Sequence, residues 1–195
     1  MSTPYDFDHP LTDGFIRTWP SMSYVDLLNP DVDMIRLEDI AHALSQTCRF
    51  GGHVARFYSV AEHSIWVSQQ VHRTFGDPLL SFAALLHDAA EAYLGDIVRP
   101  LKHLPTMTVY REVEGRMERV IEEAFGLAPF ALSGPTIKAI DTQILPWEMA
   151  MIRDSRGRTP TPCDEVALEY RERARDLHCA AFPNRDKPRA MRGWV

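Results

Sequence analysis

The sequence predicts an all-α fold, a helical bundle preceded by a short irregular extension, and three observations carry that prediction. Apolar residues recur at helical spacing through most of the chain after residue 37, with capping residues and stops between the segments. No segment alternates for long enough to read as a sizeable sheet. A composition of 45% hydrophobic and 25% charged residues over 195 positions is ample for one buried core. The expected organisation is an extension over 1–36, a helical domain over 37–182 and a basic, irregular tail over 183–195.

The extension is rich in Pro, Asp and aromatics, and Phe15–Thr18 and Tyr24–Asp26 are extended candidates for a small hairpin. Leu37, Ile40, Ala41 and Leu44 give the helix Leu37–Gln46 an inner face, and His42, within the same helix, reads as an ordinary surface or core histidine. Cys48-Arg49-Phe50-Gly51-Gly52-His53 then breaks the helix. Arg49 and His53 beside paired glycines suit a phosphate, and a plain loop explains the same residues. Ser59 and Glu62 match a capping box opening a helix that runs through Ile65, Val67, Val71 and Phe75 to Gly76, with His63 in its first turn. Asp77, Pro78 and Gly95 bound the next helix, read as continuous from Leu79 to Leu94.

Ile97–Lys102 reads as a turn, where Lys102 is either a phosphate ligand or a solvated lysine. A helix over Thr108–Phe125 follows, and its alternating Arg and Glu residues read as a solvated face. Ser133 and Pro135 open another, with Ile137, Ile140, Ile144 and Leu145 as its buried stripe and Pro146 as a kink or interruption before Arg153. Residues 156–162 read as a loop and 164–182 as the last long helix.

The stretch Leu85–Asp96 is the informative one. His87, Asp88, Glu91 and Asp96 sit in a run that is otherwise apolar, and charged side chains are seldom buried unless paired or bound to a metal. A core His–Asp pair satisfied by hydrogen bonds is the bland alternative. Three acids within ten residues of His87 repel one another, which makes an ion-free cluster costly. Asp141, placed within an apolar stripe, also demands a partner. With His63, these residues form an N2O2 set of His63, His87, Asp88 and Asp141, which suits Mn, Fe, Co, Ni or Zn better than Ca.

The whole-chain balance excludes other classes. A net charge of -6 argues against a surface for nucleic-acid polymers. Three cysteines without CxxC spacing suggest reduced thiols in a cytoplasmic protein. There is no basic-then-apolar leader pattern and no apolar run of membrane-spanning length, so no membrane partner is expected.

The order H…HD…D resembles the HD superfamily of metal-dependent phosphohydrolases. Ala61-Glu62-His63-Ser64, Leu85-Leu86-His87-Asp88-Ala89-Ala90-Glu91 and Gly95-Asp96-Ile97 with Pro100 and Lys102 look like successive family motifs, and Asp141 completes them. The resemblance covers roughly residues 37–182 and is strongest to the small bacterial 5'-deoxynucleotidases, which place an Arg-aromatic pair before the first metal histidine. This chain departs from them at Phe50, where they carry tryptophan, and in an extra Gly-Gly-His before His63.

The resemblance implies an HD-domain helical bundle. It also implies one divalent ion (Mn, Co, Fe, Ni, Zn or Mg) on His63, His87, Asp88 and Asp141. Glu91 and Asp96 would be the catalytic groups that orient or deprotonate water, and Arg49, Phe50, His53 and Lys102 would meet the substrate. The implied reaction is hydrolysis of a (deoxy)nucleoside 5'-monophosphate to nucleoside and phosphate by water activated at the ion, in a protein often dimeric. Alternatives on the same fold are a deoxynucleoside triphosphate triphosphohydrolase, a guanosine tetraphosphate hydrolase and a cyclic-nucleotide phosphodiesterase. His53, Arg56 and Arg99 could supply the extra cations a triphosphate needs. A non-enzymatic, metal-stabilised sensor domain is the third class, and the presence of Glu91 and Asp96 argues against it.

Overall fold

The apolar spacing of Leu37, Ile40, Ala41 and Leu44 is realised as helix α1, Leu37–Gln46, with all four side chains buried. The computed structural model describes residues 14–153 and 159–191. The first thirteen residues of the expected extension, residues 156–158 of the expected loop and the last four residues of the tail lie outside that range. The remaining helices are α2 (Val60–Phe75), α3 (Pro78–Leu85), α4 (Glu91–Leu94), α5 (Arg99–Lys102), α6 (Thr108–Ala124), α7 (Pro135–Arg153) and α8 (Cys163–Ala181). Among the described residues the only sheet is a two-stranded antiparallel hairpin, β1 (Phe15–Arg17) with β2 (Tyr24–Asp26), so the class is all-α. No helix of the described residues is long and apolar enough to cross a membrane.

Helices α1, α2, α3 and α8 pack on one another, and α7 lies along α2. Their shared core includes Ile40, Leu44, Val67, Phe82, Leu86, Ile137 and Tyr170. Val25 and Ile35 from the N-terminal flank and Ala190 and Met191 from the C-terminal flank join it. Asp39 on α1 ties the hairpin down, accepting from the Ser21 backbone N–H at 2.9 Å and its hydroxyl at 2.6 Å. At α2, Ser59 Oγ accepts from the Glu62 N–H while Glu62 Oε2 accepts from the Ser59 N–H, so the capping box forms in full.

The expectation of one continuous helix over Leu79–Leu94 is corrected. The helix stops at Leu85, and residues 86–90 tighten into turns such as Ala89 N–H to Leu86 O and Glu91 N–H to Asp88 O before α4 begins. The break frees two buried carbonyls, and both are capped. His87 Nδ1–H donates to Ala84 O at 2.8 Å, and the Tyr170 hydroxyl donates to Leu85 O at 2.8 Å. Two other expectations are made more specific. The turn expected over 97–102 is helical at Arg99–Lys102, and α7 is not interrupted at Pro146 but continues to Arg153. Pro146 leaves the carbonyl of Thr142 without its helical donor, but both residues are exposed and water can serve.

The charged face of α6 is not simply solvated. Glu114 and Glu118 are half-buried, and Arg111 donates to the carbonyls of Lys102 and Leu104. Burial, with Glu114 one turn away, pushes the Glu118 carboxyl up to about 7 from 4.5. The fold therefore keeps a proton that the unfolded chain gives up near pH 4.5, and this favourable contribution is lost as pH rises to 7. Glu118→Gln should raise the urea midpoint at pH 8 and leave it nearly unchanged at pH 4.5. An equal gain at both pH values would contradict this account of Glu118.

Candidate metal centre

Three separate elements deliver polar groups to one point. His63 points inward from the first turn of α2 and is fully buried. The tightened turn between α3 and α4 carries His87 and Asp88, and α7 carries Asp141. His63 Nε2 lies 3.3 Å from His87 Nε2, 3.2 Å from Asp141 Oδ1 and 3.5 Å from Asp88 Oδ2. His87 Nε2 lies 3.2 Å from that Asp88 oxygen. His63, His87 and Asp88 offer ligand atoms all within 4.8 Å of one another and could hold a metal ion.

The tautomers fit that role. A carboxylate and a carbonyl can only accept, so His63 Nδ1–H donates to Glu148 Oε1 at 2.7 Å and His87 Nδ1–H to Ala84 O. As metal ligands the two rings would be neutral, each turning its Nε2 lone pair into the cluster. Two nitrogens about 2.1 Å from one ion in a tetrahedral arrangement would sit about 3.4 Å apart. The observed 3.3 Å matches that edge. Burial opposes charge at both His87 and Asp88, yet their mutual attraction outweighs it, raising the imidazole and holding the carboxyl well below its usual range. Asp141 is lowered as well, its hydrogen bond to His63 outweighing burial.

Glu91 lines the same space from α4 and is 8% exposed. Burial beside Asp88 and Asp96 pushes it up to about 10, and its Oε2 has no hydrogen-bond partner in the structure. A cation among His63, His87 and Asp88 would oppose that shift by supplying the missing positive charge. Asp96 is raised by burial and feels Arg49, Asp88 and Lys102.

Arg49 lies beside the cluster, Nη1 3.5 Å from Asp88 Oδ2. Its guanidinium sits over the Phe50 ring, 5.2 Å from the centroid. Phe50, Gly51 and Gly52 all take left-handed backbone angles (φ 57°, 60° and 79°), a run that a β-branched residue would resist. A Cβ on Gly51 would meet Val98 at 3.5 Å, an ordinary contact, so the positive φ rather than lack of space calls for glycine there. Lys102 flanks Glu91 at 3.9 Å but is held by Glu114 at 2.5 Å. His53 is exposed, and among the described residues no hydrogen bond or ion pair joins its side chain to the cluster.

One member of the site escaped the sequence reading. Glu148 is fully buried on α7 and accepts from His63 and, at 2.8 Å, from the Tyr58 hydroxyl. Its signal was its position seven residues, or two turns, after Asp141, on the stripe of Ile144. Glu114, the partner of Lys102, likewise lies on the face that alternating charge predicts to be solvated.

YfdR of Escherichia coli K12, described as an uncharacterized protein, is 44% identical over 117 residues, 60% of this chain and 61% of YfdR. An uncharacterized protein of Rhodobacter capsulatus is 38% identical over 138 residues, 65% of this chain and 68% of that protein. The chain belongs to that protein's family. No protein-family model matches it. The family's Escherichia coli relative is spanned only over that 61% of its length.

The metal centre is tested by metal content. Asp88→Ala and Asp141→Ala should each lose most of the divalent ion that the wild-type protein retains after gel filtration, measured by elemental analysis. Wild-type occupancy in both variants would remove these residues from the ligand set.

Proposed function

We propose that the chain is a metal-dependent phosphohydrolase of the HD kind that acts on nucleotides, hydrolysing (deoxy)nucleoside 5'-monophosphates to nucleoside and phosphate. The observation that supports this most is the convergence of His63, His87, Asp88 and Asp141 within 3.2–3.5 Å contacts beside a buried Glu91 and an arginine. His63, His87, Asp88 and Asp141 would hold one divalent ion. Such an ion lowers the pKa of water and draws charge from a phosphoryl oxygen.

The remaining steps belong to the chain's own side chains. Glu91, with one unpartnered oxygen, would accept a proton from the attacking water and orient it. Arg49 offers a planar donor fork to phosphate oxygens and would offset the charge that builds on them. Asp96 would share in orienting the water. Phe50, already stacked on Arg49, would present a ring face to the base or sugar.

The supply of cations favours one phosphate over three. Lys102 is neutralised by Glu114, His53 makes no contact with the cluster, and Arg99, 64% exposed, is paired with Asp141 Oδ2 at 3.3 Å. Arg56 is then the one arginine named for a triphosphate that has no ion pair among the described residues, a single charge against the two or more that the further phosphates would bring.

A panel of nucleoside mono-, di- and triphosphates, each with Mn, Co, Fe, Ni, Zn and Mg, tests the reading by the phosphate species released. Inorganic phosphate from 5'-monophosphates is the expected product. In the same assay Glu91→Ala should keep its metal and lose roughly 10² to 10⁴ in turnover. Triphosphate release from nucleoside triphosphates, or full activity of Glu91→Ala at several pH values, would overturn the assignment it touches.

A further inference from the structure

We propose that Glu148 is a positioning residue that couples the ion site to the arginine loop: one carboxylate oxygen fixes His63 and the other holds Arg49. The proposal rests on the metal-binding part of the reading above. Oε1 receives two good donors, His63 Nδ1–H at 2.7 Å and the Tyr58 hydroxyl at 2.8 Å. Oε2 is buried without a hydrogen bond and faces Arg49 Nη2 at 3.5 Å. The carboxylate thus joins α7, the start of α2 and the loop between α1 and α2 inside the protein.

A packing role does not account for this side chain. Glu148 follows Ile144 along the buried stripe of α7, where another apolar residue would fill the space without the cost of burying a charge. Its charge matters because of what Arg49 otherwise touches. The guanidinium is shared between two anions, Nη1 toward Asp88 Oδ2 and Nη2 toward Glu148 Oε2, both at 3.5 Å. Asp88 Oδ2 is also the oxygen nearest both histidine Nε2 atoms. A cation held by His63, His87 and Asp88 would draw on the Asp88 charge, which would leave Nη1 free for a phosphate. Glu148 then keeps the guanidinium in place, while the same carboxylate holds His63 in the Nδ1–H tautomer that directs Nε2 to the ion.

Glu148→Gln separates the two arms. Its amide oxygen can still accept from His63 and Tyr58, but its amide nitrogen would face Arg49 donor to donor. Cobalt(II) affinity, measured by chelator competition, should stay near wild type in E148Q and fall about 10- to 100-fold in Glu148→Ala. The visible spectrum of the cobalt protein should be kept in E148Q and altered in Glu148→Ala. Inorganic phosphate, titrated against the cobalt-loaded protein through that spectrum, should bind roughly tenfold more weakly to E148Q, about as weakly as to Arg49→Ala. Combining E148Q with Arg49→Ala should weaken it little further.

Wild-type cobalt affinity in Glu148→Ala, or wild-type phosphate affinity in E148Q, would overturn the coupling. So would equal cobalt loss in both variants, since it would show that the acceptor oxygen alone does not hold His63. Failure of the nucleotidase reading looks different: the same cobalt and phosphate pattern in a protein that hydrolyses no nucleotide.

Discussion

Two imidazoles and a set of carboxylates, buried or half-buried, meet around one point in a helical protein, and the arrangement around them follows from keeping that charge satisfied. His63 and His87 spend their Nδ1 protons outward, on Glu148 and on a carbonyl left by the end of α3. With both rings neutral, two Nε2 lone pairs and the oxygens of Asp88 and Asp141 would face one another, a grouping that repels itself unless positive charge enters. Arg49 supplies part of that charge from the side, and a divalent ion would supply the rest. The break at Leu86–Ala90 belongs to the same constraint. A regular helix would keep the carbonyls of Ala84 and Leu85 for itself, whereas the tightened turn gives one to His87 and the other to Tyr170.

Much of this was legible because it depends on local rules. The bounds of α1 follow from four apolar positions, and the start of α2 from Ser59 and Glu62. Asp141 stood out as an acid inside an apolar stripe. What was not legible depends on contacts remote in sequence. Periodicity cannot see that Tyr170, far along the chain, accepts the role of a helical donor at Leu85, so α3 and α4 read as one helix. Glu148 lay beyond Pro146, and the expected kink there hid its register with Asp141, although α7 continues through the proline. On α6, a pattern of alternating charge looks the same whether a glutamate meets water or, as Glu114 does, a lysine from α5.

The loop between α1 and α2 links these two kinds of information. Its glycines announce an unusual backbone, and the structure adds that Phe50 shares the left-handed run and carries the Arg49 guanidinium on its ring. A loop so constrained places its arginine within reach of Asp88 and Glu148 rather than leaving it to search solvent. This preorganisation would let one cation act at a phosphate without reordering at the moment of reaction.

The central claim is that His63, His87, Asp88 and Asp141 surround a single divalent ion. Crystals grown with manganese, measured on both sides of the manganese absorption edge, test it most directly. The account predicts one strong anomalous peak inside the cluster, roughly 2.0 to 2.3 Å from both Nε2 atoms and from an oxygen of each aspartate. A fully loaded crystal whose anomalous peaks all lie elsewhere, with none inside the cluster, would contradict it.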